Sequence, residues 1–196
     1  MAQWFMLQPD AESETISLPQ RDLSSFEPRF EQGIPISSQE WPNVVQGRAR
    51  IPTEGLPDFF AAWSTCGIVC CSDRLRRFLL EVGEKDPDVQ FLPIRAKDLR
   101  DVSRVVAPLF ILHVTRVVPC LHKGKSEFLW DDPEPMSGGV YTHVKTIVLR
   151  RSAIQGLDFF RCQGIVGRLF VSRRYKDLFQ AHRFTGMVFT PVCAAD

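Results

Sequence analysis

The apolar positions of this chain follow the same pattern twice, in residues 69–94 and again in residues 168–192. In each segment an apolar run meets a serine, Ser72 in the first and Ser172 in the second. An apolar run rich in β-branched residues predicts a buried strand. Serine is a favourable N-cap residue of a helix, because its side-chain oxygen accepts a hydrogen bond from a backbone N–H of the first turn that has no partner within the helix.

After each serine the apolar residues recur at i, i+3 and i+4, which predicts one buried face of a helix about three turns long. The residues of this face are Leu75, Phe78 and Leu79 in the first segment and Tyr175, Leu178 and Phe179 in the second. Gly83 and Gly186 then give the chain room to turn. Each segment closes with the pattern Phe-x-Pro-aliphatic, which starts at Phe91 and at Phe189.

The spacing of the two segments agrees along their length. The offset is 172 − 72 = 100 at the serines and 189 − 91 = 98 at the phenylalanines, so the segments differ in the loop after the helix. A helix of this length permits a right-handed crossover between parallel strands. We therefore predict an α+β fold, a mixed sheet with two similar strand–helix–strand units packed on one core.

The region before the first segment has a different composition. Residues 1–57 predict a strand around Trp4 and then an irregular arm, rich in Pro, Gly, Ser and Gln, that its isolated aromatic residues pack on the core. Residues 58–196 form the predicted α+β domain. A chain of 196 residues buries roughly 70% of its unfolded surface, so the two regions are expected to make one compact domain overall.

Charge and composition exclude several classes of partner. The formal net charge of +1 provides no field that would draw the protein to nucleic acid or to an anionic membrane. No run of 18 apolar residues predicts a transmembrane helix. The opening MAQWFMLQPDAESE lacks the basic start of a secretory signal. With six cysteines and no such signal, we expect reduced thiols and a cytoplasmic protein.

The motifs that resemble catalytic or metal sites are incomplete. Gly124, Lys125 and Ser126 match the end of a phosphate-binding loop, but the glycine required five positions earlier is replaced by Pro119. Cys120 and His122 have the spacing of zinc ligands without the second pair that a structural site needs. We predict no catalytic residue, no metal site and no cofactor, and therefore not an enzyme.

The histidines leave an alternative open. His182 takes the position of Val82 in the other segment, which predicts a half-buried core histidine. His113 lies on a long strand predicted from Pro108 to Leu121 and ended by Pro119, and His143 lies on a strand predicted from Val140 to Leu149. Either histidine could act as a base from these central strands. An uncharacterised enzyme and a small-ligand-binding regulatory module are therefore the alternative functions.

One loop has the composition of a protein-binding surface. Residues 127–134 contain four carboxylates and a tryptophan beside turn-forming residues. An aromatic anchor with an acidic rim suits a basic partner, whereas a solvated turn with the tryptophan folded inward is the alternative. The predicted partner-binding residues of this loop are Trp130, Asp131, Asp132 and Glu134.

Two cations in the second helix are further candidates. Arg173 and Arg174 lie in its first turn, where the helix dipole disfavours positive charge. Either a nearby carboxylate or an acidic partner should compensate them. Arg74 keeps the same position in the first segment, which favours the nearby carboxylate.

The two segments also resemble a known family. The residues that carry the resemblance are Asp58-Phe59-Phe60, IVCCSDRLRRFLLEVG with VQFLPI, Ser152-x-Ile154-x-Gly156, Phe160-Arg161 and LFVSRRYKDLFQAHRFTGMVF. In these motifs the chain is similar to immunity protein family 11 of bacterial polymorphic toxin systems, formerly a domain of unknown function. The resemblance implies a cytoplasmic antitoxin that binds a cognate toxin encoded by the adjacent gene, and toxins of this kind are often delivered by contact-dependent or type VI secretion. It implies no catalytic or metal motif, and it assigns no interface residue.

Overall fold

The structure, a computed structural model, describes residues 3–10, 16–19, 23–42, 45–49, 56–63, 68–82, 88–101, 108–128, 144–165 and 167–196. In chain order the strands are β1 (Trp4–Pro9), β2 (Ile16–Ser17), β3 (Val45–Ala49), β4 (Phe59–Trp63), β5 (Val69–Ser72), β6 (Val89–Asp98), β7 (Leu109–Val114), β8 (Val117–Val118), β9 (Glu127–Phe128), β10 (Val144–Thr146), β11 (Val148–Arg150), β12 (Phe159–Cys162), β13 (Leu169–Ser172) and β14 (Met187–Ala195). The helices are α1 (Glu27–Gln32), α2 (Asp73–Val82), α3 (Arg151–Ile154) and α4 (Arg173–Ala181). The described chain is thus mostly sheet, with parallel and antiparallel pairs and few helices. The predicted α+β class is confirmed.

The chain divides into two compact units, each assembled from separate stretches. The barrel unit consists of Pro9–Thr115 and Phe184–Met187, and the sheet unit consists of Met1–Gln8, Arg116–Arg183 and Val188–Asp196. This division differs from the boundary that the sequence indicated after residue 57. That boundary, between an arm and a domain, stays a prediction.

In the barrel unit the described strands close into a barrel in the order β2-β3-β6-β7-β5-β4. Neighbours run antiparallel except for β3–β6 and β2–β4, which are parallel. Successive strand residues face opposite sides, so alternate residues of β3 and β6 enter the core. They are Val45, Ala49, Leu92, Ile94 and Ala96. Gly47 shares this face of β3, where a Cβ would lie 2.7 Å from Ile16 Cγ2, so the glycine lets β2 approach β3 closely.

Aromatic residues of the predicted arm belong to the barrel core. Phe30 and Trp41 are buried in the same cluster as Ile94 and Ile111, and Phe26 packs against it. The Phe30 and Trp41 rings meet edge to face at 6.3 Å. Trp41 Nε1 also donates a hydrogen bond to the Pro93 carbonyl oxygen at 2.9 Å, which satisfies its polar atom inside the apolar cluster.

In the sheet unit the strand order is β11-β14-β1-β13-β12-β8, and β9 and β10 form a separate pair. The predicted opening strand is therefore a central strand, antiparallel to β13 with Trp4 opposite Ser172. Trp4, Phe160 and Phe170 lie in one buried cluster. The Phe160 ring meets Trp4 edge to face at 5.4 Å and stacks on Phe170 at 5.6 Å, and these contacts join the neighbouring strands β1, β13 and β12 within the sheet.

One predicted strand is wrong. The sequence indicated a single strand from residue 108 to residue 121, but the chain leaves β7 after Val114 and pairs again as β8. β8 runs parallel to β12, with Val118 opposite Cys162. Pro119 follows at once, and its missing N–H ends the ladder as predicted. A continuous apolar run could not reveal that its two halves pair with different strands.

The two segments found from the apolar pattern have closely similar local structure. Each begins with an antiparallel hairpin, with Phe59 opposite Cys71 in β4–β5 and Phe159 opposite Val171 in β12–β13. A helix follows directly, and then a long strand, β6 or β14. The buried helix residues are Leu75, Phe78 and Leu79 in α2 and Tyr175 and Phe179 in α4. The serine that precedes α4 caps it as predicted, since Ser172 Oγ accepts from Tyr175 N at 3.4 Å.

Gly186 supplies a first testable prediction. Its φ is +78°, and a Cβ there would fall on the Phe59 carbonyl oxygen and lie 2.8 Å from Pro57 Cβ. Gly156 has a similar φ of +79° with nothing within 4 Å of a built Cβ. Because Gly156→Ala adds only left-handed backbone strain, we expect it to cost about 1 kcal/mol. Gly186→Ala adds a backbone collision as well, and we expect about 4 kcal/mol or more. Denaturant unfolding of both variants checks this, and equal losses would contradict it.

Candidate functional site

An aspartate fixes the start of α2 in the barrel unit. Asp58 is 7% exposed and stands directly before β4. Its Oδ1 accepts the Ser72 hydroxyl at 2.7 Å, and its Oδ2 accepts Arg74 Nη1 at 2.7 Å. Oδ2 also accepts the Thr185 backbone N–H at 3.2 Å. Ser72 Oγ in turn accepts from Leu75 N at 3.1 Å, so one carboxylate orients the serine that caps the helix.

The sheet unit builds the same arrangement 100 residues later. Asp158 Oδ1 accepts the Ser172 hydroxyl, and its Oδ2 accepts Arg174 Nη1 at 2.6 Å. In both units the serine N–H also binds the aspartate carbonyl at 2.9 Å. We call each set the Asp–Ser–Arg cluster; the sets are Asp58, Ser72 and Arg74 in the barrel unit, and Asp158, Ser172 and Arg174 in the sheet unit.

The Asp–Ser–Arg cluster answers the question that the sequence left open for Arg174. A carboxylate of the same unit compensates its charge at the helix start, as in the other segment. The sequence contained the signal for this partner, since Asp158 lies 100 positions after Asp58, the same offset as the serines. The Arg174 side chain is still 62% exposed, so forming the pair does not hide it.

Arg173 packs on an aromatic ring of the first strand. Its guanidinium carbon lies 5.6 Å from the centroid of Phe5, and Lys176 Nζ lies 4.4 Å from the same centroid. The negative face of the Phe5 ring attracts both cations. Sequence reasoning missed Lys176, and the signal was its spacing of three from Arg173 on a helix, which puts both side chains on one face. This pair forms a cationic surface on the sheet unit.

The predicted loop residues Trp130, Asp131, Asp132 and Glu134 lie outside the described residues. The strands that flank them are β9 and β10, which pair antiparallel. Glu127 in β9 accepts the Thr146 hydroxyl at 2.9 Å, and Lys145 Nζ lies 3.7 Å from its carboxylate. A short ladder with polar side-chain contacts therefore brings the two ends of this loop together.

The sheet unit also contains an open pocket of about 400 Å³. We call it the Trp4 pocket; it is lined by Gln3, Trp4, Arg151 and residues 191–194 of β14. Trp4 and Val192 belong to the buried cluster, whereas Cys193 is exposed. Arg151 is 65% exposed, and its Nη2 donates to the Ala194 carbonyl at 3.1 Å. An aromatic wall with a cation at the rim suits an anchoring side chain of a partner.

His113, His122 and His182 do not assemble a catalytic site among the described residues, and His143 lies outside them. His113 is 2% exposed, with Nε2 3.0 Å from the Ile34 carbonyl oxygen and its ring 5.0 Å from Phe30, as a satisfied core histidine should be. His122 lies in a turn, where its carbonyl accepts from Lys125 N and Ser126 N. His182 is a correction, because it caps the end of α4 and is exposed instead of half-buried. The i+7 position falls past the last buried turn of this nine-residue helix, since α4 ends at Ala181.

The described cysteines and acidic residues do not form a metal site either. Cys70 and Cys71 are both buried, and burial raises the pKa of each thiol, as expected for small apolar core residues. Within the described part of the chain no three His, Cys, Asp or Glu side chains are grouped to hold a metal ion. No described helix is long and apolar enough to span a bilayer.

Comparison with known families identifies the family of this chain. The family model described as the Immunity protein family (Imm11) matches residues 3–194. The chain belongs to this family. A comparison with curated proteins gave no match. The family that the sequence motifs indicated is therefore confirmed, and membership favours toxin immunity, with binding in place of catalysis as the molecular activity.

The unequal exposure of the two aspartates supplies a second prediction. Removing the buried Asp58 side chain leaves Ser72, Arg74 and Thr185 without their acceptor, so we expect Asp58→Ala to cost about 3 kcal/mol. The Asp158 side chain is 33% exposed, and water replaces part of its hydrogen bonding, so we expect Asp158→Ala to cost about 1 kcal/mol. Denaturant unfolding measures both, with the exposed Asp177→Ala as a control within about 0.5 kcal/mol of wild type. A larger loss at Asp158 than at Asp58 would contradict the assignment.

Proposed function

We propose that this protein is an antitoxin that binds and neutralises a cognate bacterial toxin and so protects the producing cell and its kin. The observation that carries the proposal is the match to the Immunity protein family (Imm11) over residues 3–194 of a 196-residue chain. The toxin is the product of the adjacent gene in a polymorphic toxin system, delivered by a contact-dependent or type VI secretion route. The antitoxin acts in the cytoplasm without turning over a substrate, and it binds neither nucleic acid nor membrane.

Such a role depends on affinity. Protection against a lethal enzyme calls for sub-nanomolar binding, which corresponds to about −12 kcal/mol or beyond. Binding of this strength is built from a few buried anchors, while surrounding charges steer the encounter. The described surface of the sheet unit offers both kinds of feature, with the Trp4 pocket for an anchor and the cations on Phe5 for steering.

We propose two contact regions from the residues singled out in the sequence. The first is the acidic loop with Trp130, Asp131, Asp132 and Glu134, which suits a basic toxin surface such as the active site of a nuclease. The second is the start of α4, with Arg173 and Arg174. The exposure of Arg174 supports this second region, although its pairing with Asp158 shows that the residue has a structural role as well.

We also infer that the predicted strand–helix–strand units of residues 69–94 and 168–192 belong to two copies of a longer unit, residues 58–98 and 158–195, in which a hairpin precedes the helix and the last strand. The matching hairpin registers and the two Asp–Ser–Arg clusters support a common origin. Many unrelated helices share an apolar stripe, because any helix that packs on a core needs one. An Asp–Ser–Arg cluster is not required for such packing, so its recurrence at an offset of 100 residues is stronger support for a common origin than the shared stripe.

The central test is co-expression with the product of the adjacent gene. We expect the two proteins to purify as one complex with a dissociation constant in the nanomolar range or tighter. We also expect co-expression to restore growth of cells that the neighbour alone kills. Isothermal titration and a growth assay measure these outcomes. A neighbour that is toxic but neither binds this protein nor is neutralised by it would overturn the proposal for that gene pair.

Charge reversal tests the acidic loop as a contact region. Asp131→Lys together with Asp132→Lys should weaken binding by at least about tenfold, or 1.4 kcal/mol, because like charges would then meet a basic surface. Glu81→Lys is the matched control, since Glu81 is an exposed acidic residue at the end of α2 in the barrel unit. Surface plasmon resonance at two salt concentrations gives the rates. If both variants bind like wild type, the loop is not the contact region, whereas the antitoxin function itself stands on the co-expression test.

A further inference from the structure

The strands of the two units follow the same order. A closed barrel can be read from any strand, and read from β3 the barrel unit has the order β3-β6-β7-β5-β4-β2, which matches β11-β14-β1-β13-β12-β8 in the sheet unit. The first and the last pair are parallel in both orders. Antiparallel pairing of β2 with β3 closes the barrel, and Leu121, just after β8, bridges antiparallel to Leu149 of β11. β1 of the sheet unit is therefore equivalent to β7 of the barrel unit.

The strand registers and the sequence offsets make individual residues of the two units equivalent. Met6 lies opposite Phe170 as Ile111 lies opposite Cys70, and Phe170 follows Cys70 at the offset of 100. On β14 the offset is 98, as between the two Phe-x-Pro patterns. Five pairs of equivalent residues then lie at one end of each unit; they are Met6 with Ile111, Gln8 with His113, Val188 with Gln90, Thr190 with Leu92 and Arg168 with Ile68.

In the barrel unit the predicted arm covers this end. Gln90 Oε1 accepts Ile36 N at 2.9 Å, and His113 Nε2 lies 3.0 Å from the Ile34 carbonyl oxygen. The buried cluster that contains Leu92 also contains three apolar side chains of the arm, Phe30, Ile36 and Trp41. Apolar side chains of the arm thus fill this end of the barrel, while its backbone binds polar side chains of β6 and β7.

The equivalent end of the sheet unit is accessible to solvent. Val188 is 41% exposed and Thr190 is exposed as well. Both face the same side of β14 as Val192, which lies in the buried cluster, because alternate residues of a strand share a face. The other three positions are half-buried; they are Met6, Gln8 and Arg168. We call these five residues the open face.

The open face carries a positive charge where the barrel unit has an apolar residue. Arg168 is equivalent to Ile68, which is buried. Arg168 Nη1 donates to Met6 Sδ at 3.7 Å, and among the described residues no carboxylate pairs with Arg168. A thioether is a weak and uncharged acceptor, so this contact leaves the guanidinium charge uncompensated. A carboxylate, which binds a guanidinium through two parallel hydrogen bonds, is the complementary group.

We propose that the open face is a docking site for the toxin, and that the toxin segment bound there carries a carboxylate beside an apolar side chain. This inference rests on the antitoxin function proposed above. The apolar side chain packs on Met6 and Val188, as the arm packs on the equivalent end of the barrel unit. The carboxylate accepts hydrogen bonds from Arg168, and the Gln8 amide donates to a backbone carbonyl of the segment. The site therefore combines an apolar anchor with a charge pair that selects an acidic segment.

Photo-cross-linking identifies what binds the open face. Val188 is replaced by p-benzoylphenylalanine in the full chain, a change that its exposure should tolerate, and the complex with the product of the adjacent gene is irradiated. Mass spectrometry should find position 188 joined to a toxin peptide in which an acidic residue lies next to an apolar one. A cross-link confined to residues 129–143 of this chain, or none in a stable complex, would overturn the proposal.

Charge reversal then tests the role of Arg168. Arg168→Glu should weaken toxin binding by about 30-fold or more, because a like charge then meets the carboxylate. Lys97→Glu is the matched control, since Lys97 is an exposed cation on β6, and it should bind like wild type. Exchange of the cross-linked toxin carboxylate for lysine should restore binding to the Arg168→Glu protein. A merely structural role of Arg168 would not give this restoration.

A second variant keeps the test decisive where Arg168→Glu does not fold. Val188→Asp places a carboxylate on the exposed part of the site, so it should weaken binding in the same direction, with the exposed Leu80→Asp as its control. Unchanged dissociation constants for the folded variants would overturn the docking site and leave the antitoxin function standing. A toxic neighbour that forms no complex with the wild-type protein would overturn both.

Discussion

The rest of each unit depends on one carboxylate placed before a hairpin. In the Asp–Ser–Arg cluster the aspartate joins the first strand of the hairpin to the start of the following helix. It orients the capping serine and neutralises an arginine that the helix dipole would otherwise disfavour. The helix can then lay its apolar face on the sheet, where Tyr175 stacks on Phe159 at 5.9 Å in the sheet unit. The hydrogen-bonded ion pair thus fixes the start of the helix and so determines which face of the helix packs on the sheet.

The two clusters differ in how far they are enclosed. In the barrel unit the segment 184–187 covers Asp58, with Thr185 hydrogen-bonded to it and the Arg74 guanidinium 4.5 Å from the Phe184 ring. In the sheet unit Arg174 is mostly exposed on the helix that also carries Arg173 and Lys176. The aspartate is therefore buried in the barrel unit, with 10% of its side chain exposed, and partly open to solvent in the sheet unit, with 33% exposed, while both arginines are more than half exposed.

Local pattern predicted α2 and α4 and the serines that cap them, because a helix and its cap depend on residues within one or two turns. Ser172 capped α4, the apolar stripe of α2 was buried, and in α4 Tyr175 and Phe179 were buried while Leu178 was half-buried. Pairing of strands depends on distant residues, so the break between β7 and β8 and the central place of β1 were not predictable from their own sequences. The sequence predicted that a nearby carboxylate would pair with Arg174, but it did not say which one. Asp158 could have been identified because it lies 100 positions after Asp58, the same offset as between the two serines.

The path of the chain has a consequence for how the protein is made. β1 lies at residues 4–9, and its partner β13 lies at residues 169–172, so more than 160 residues are synthesised before the two can pair. At ribosomal rates of roughly 5–20 residues per second, an apolar strand waits about 10–30 s for its neighbour. The barrel unit waits as well, since the segment 184–187 that covers Asp58 arrives after almost all of it. High sequence separation between paired strands also slows folding itself. Folding is therefore completed late in synthesis, and a nascent chain with an unpaired β1 is the stage most exposed to aggregation and to chaperones.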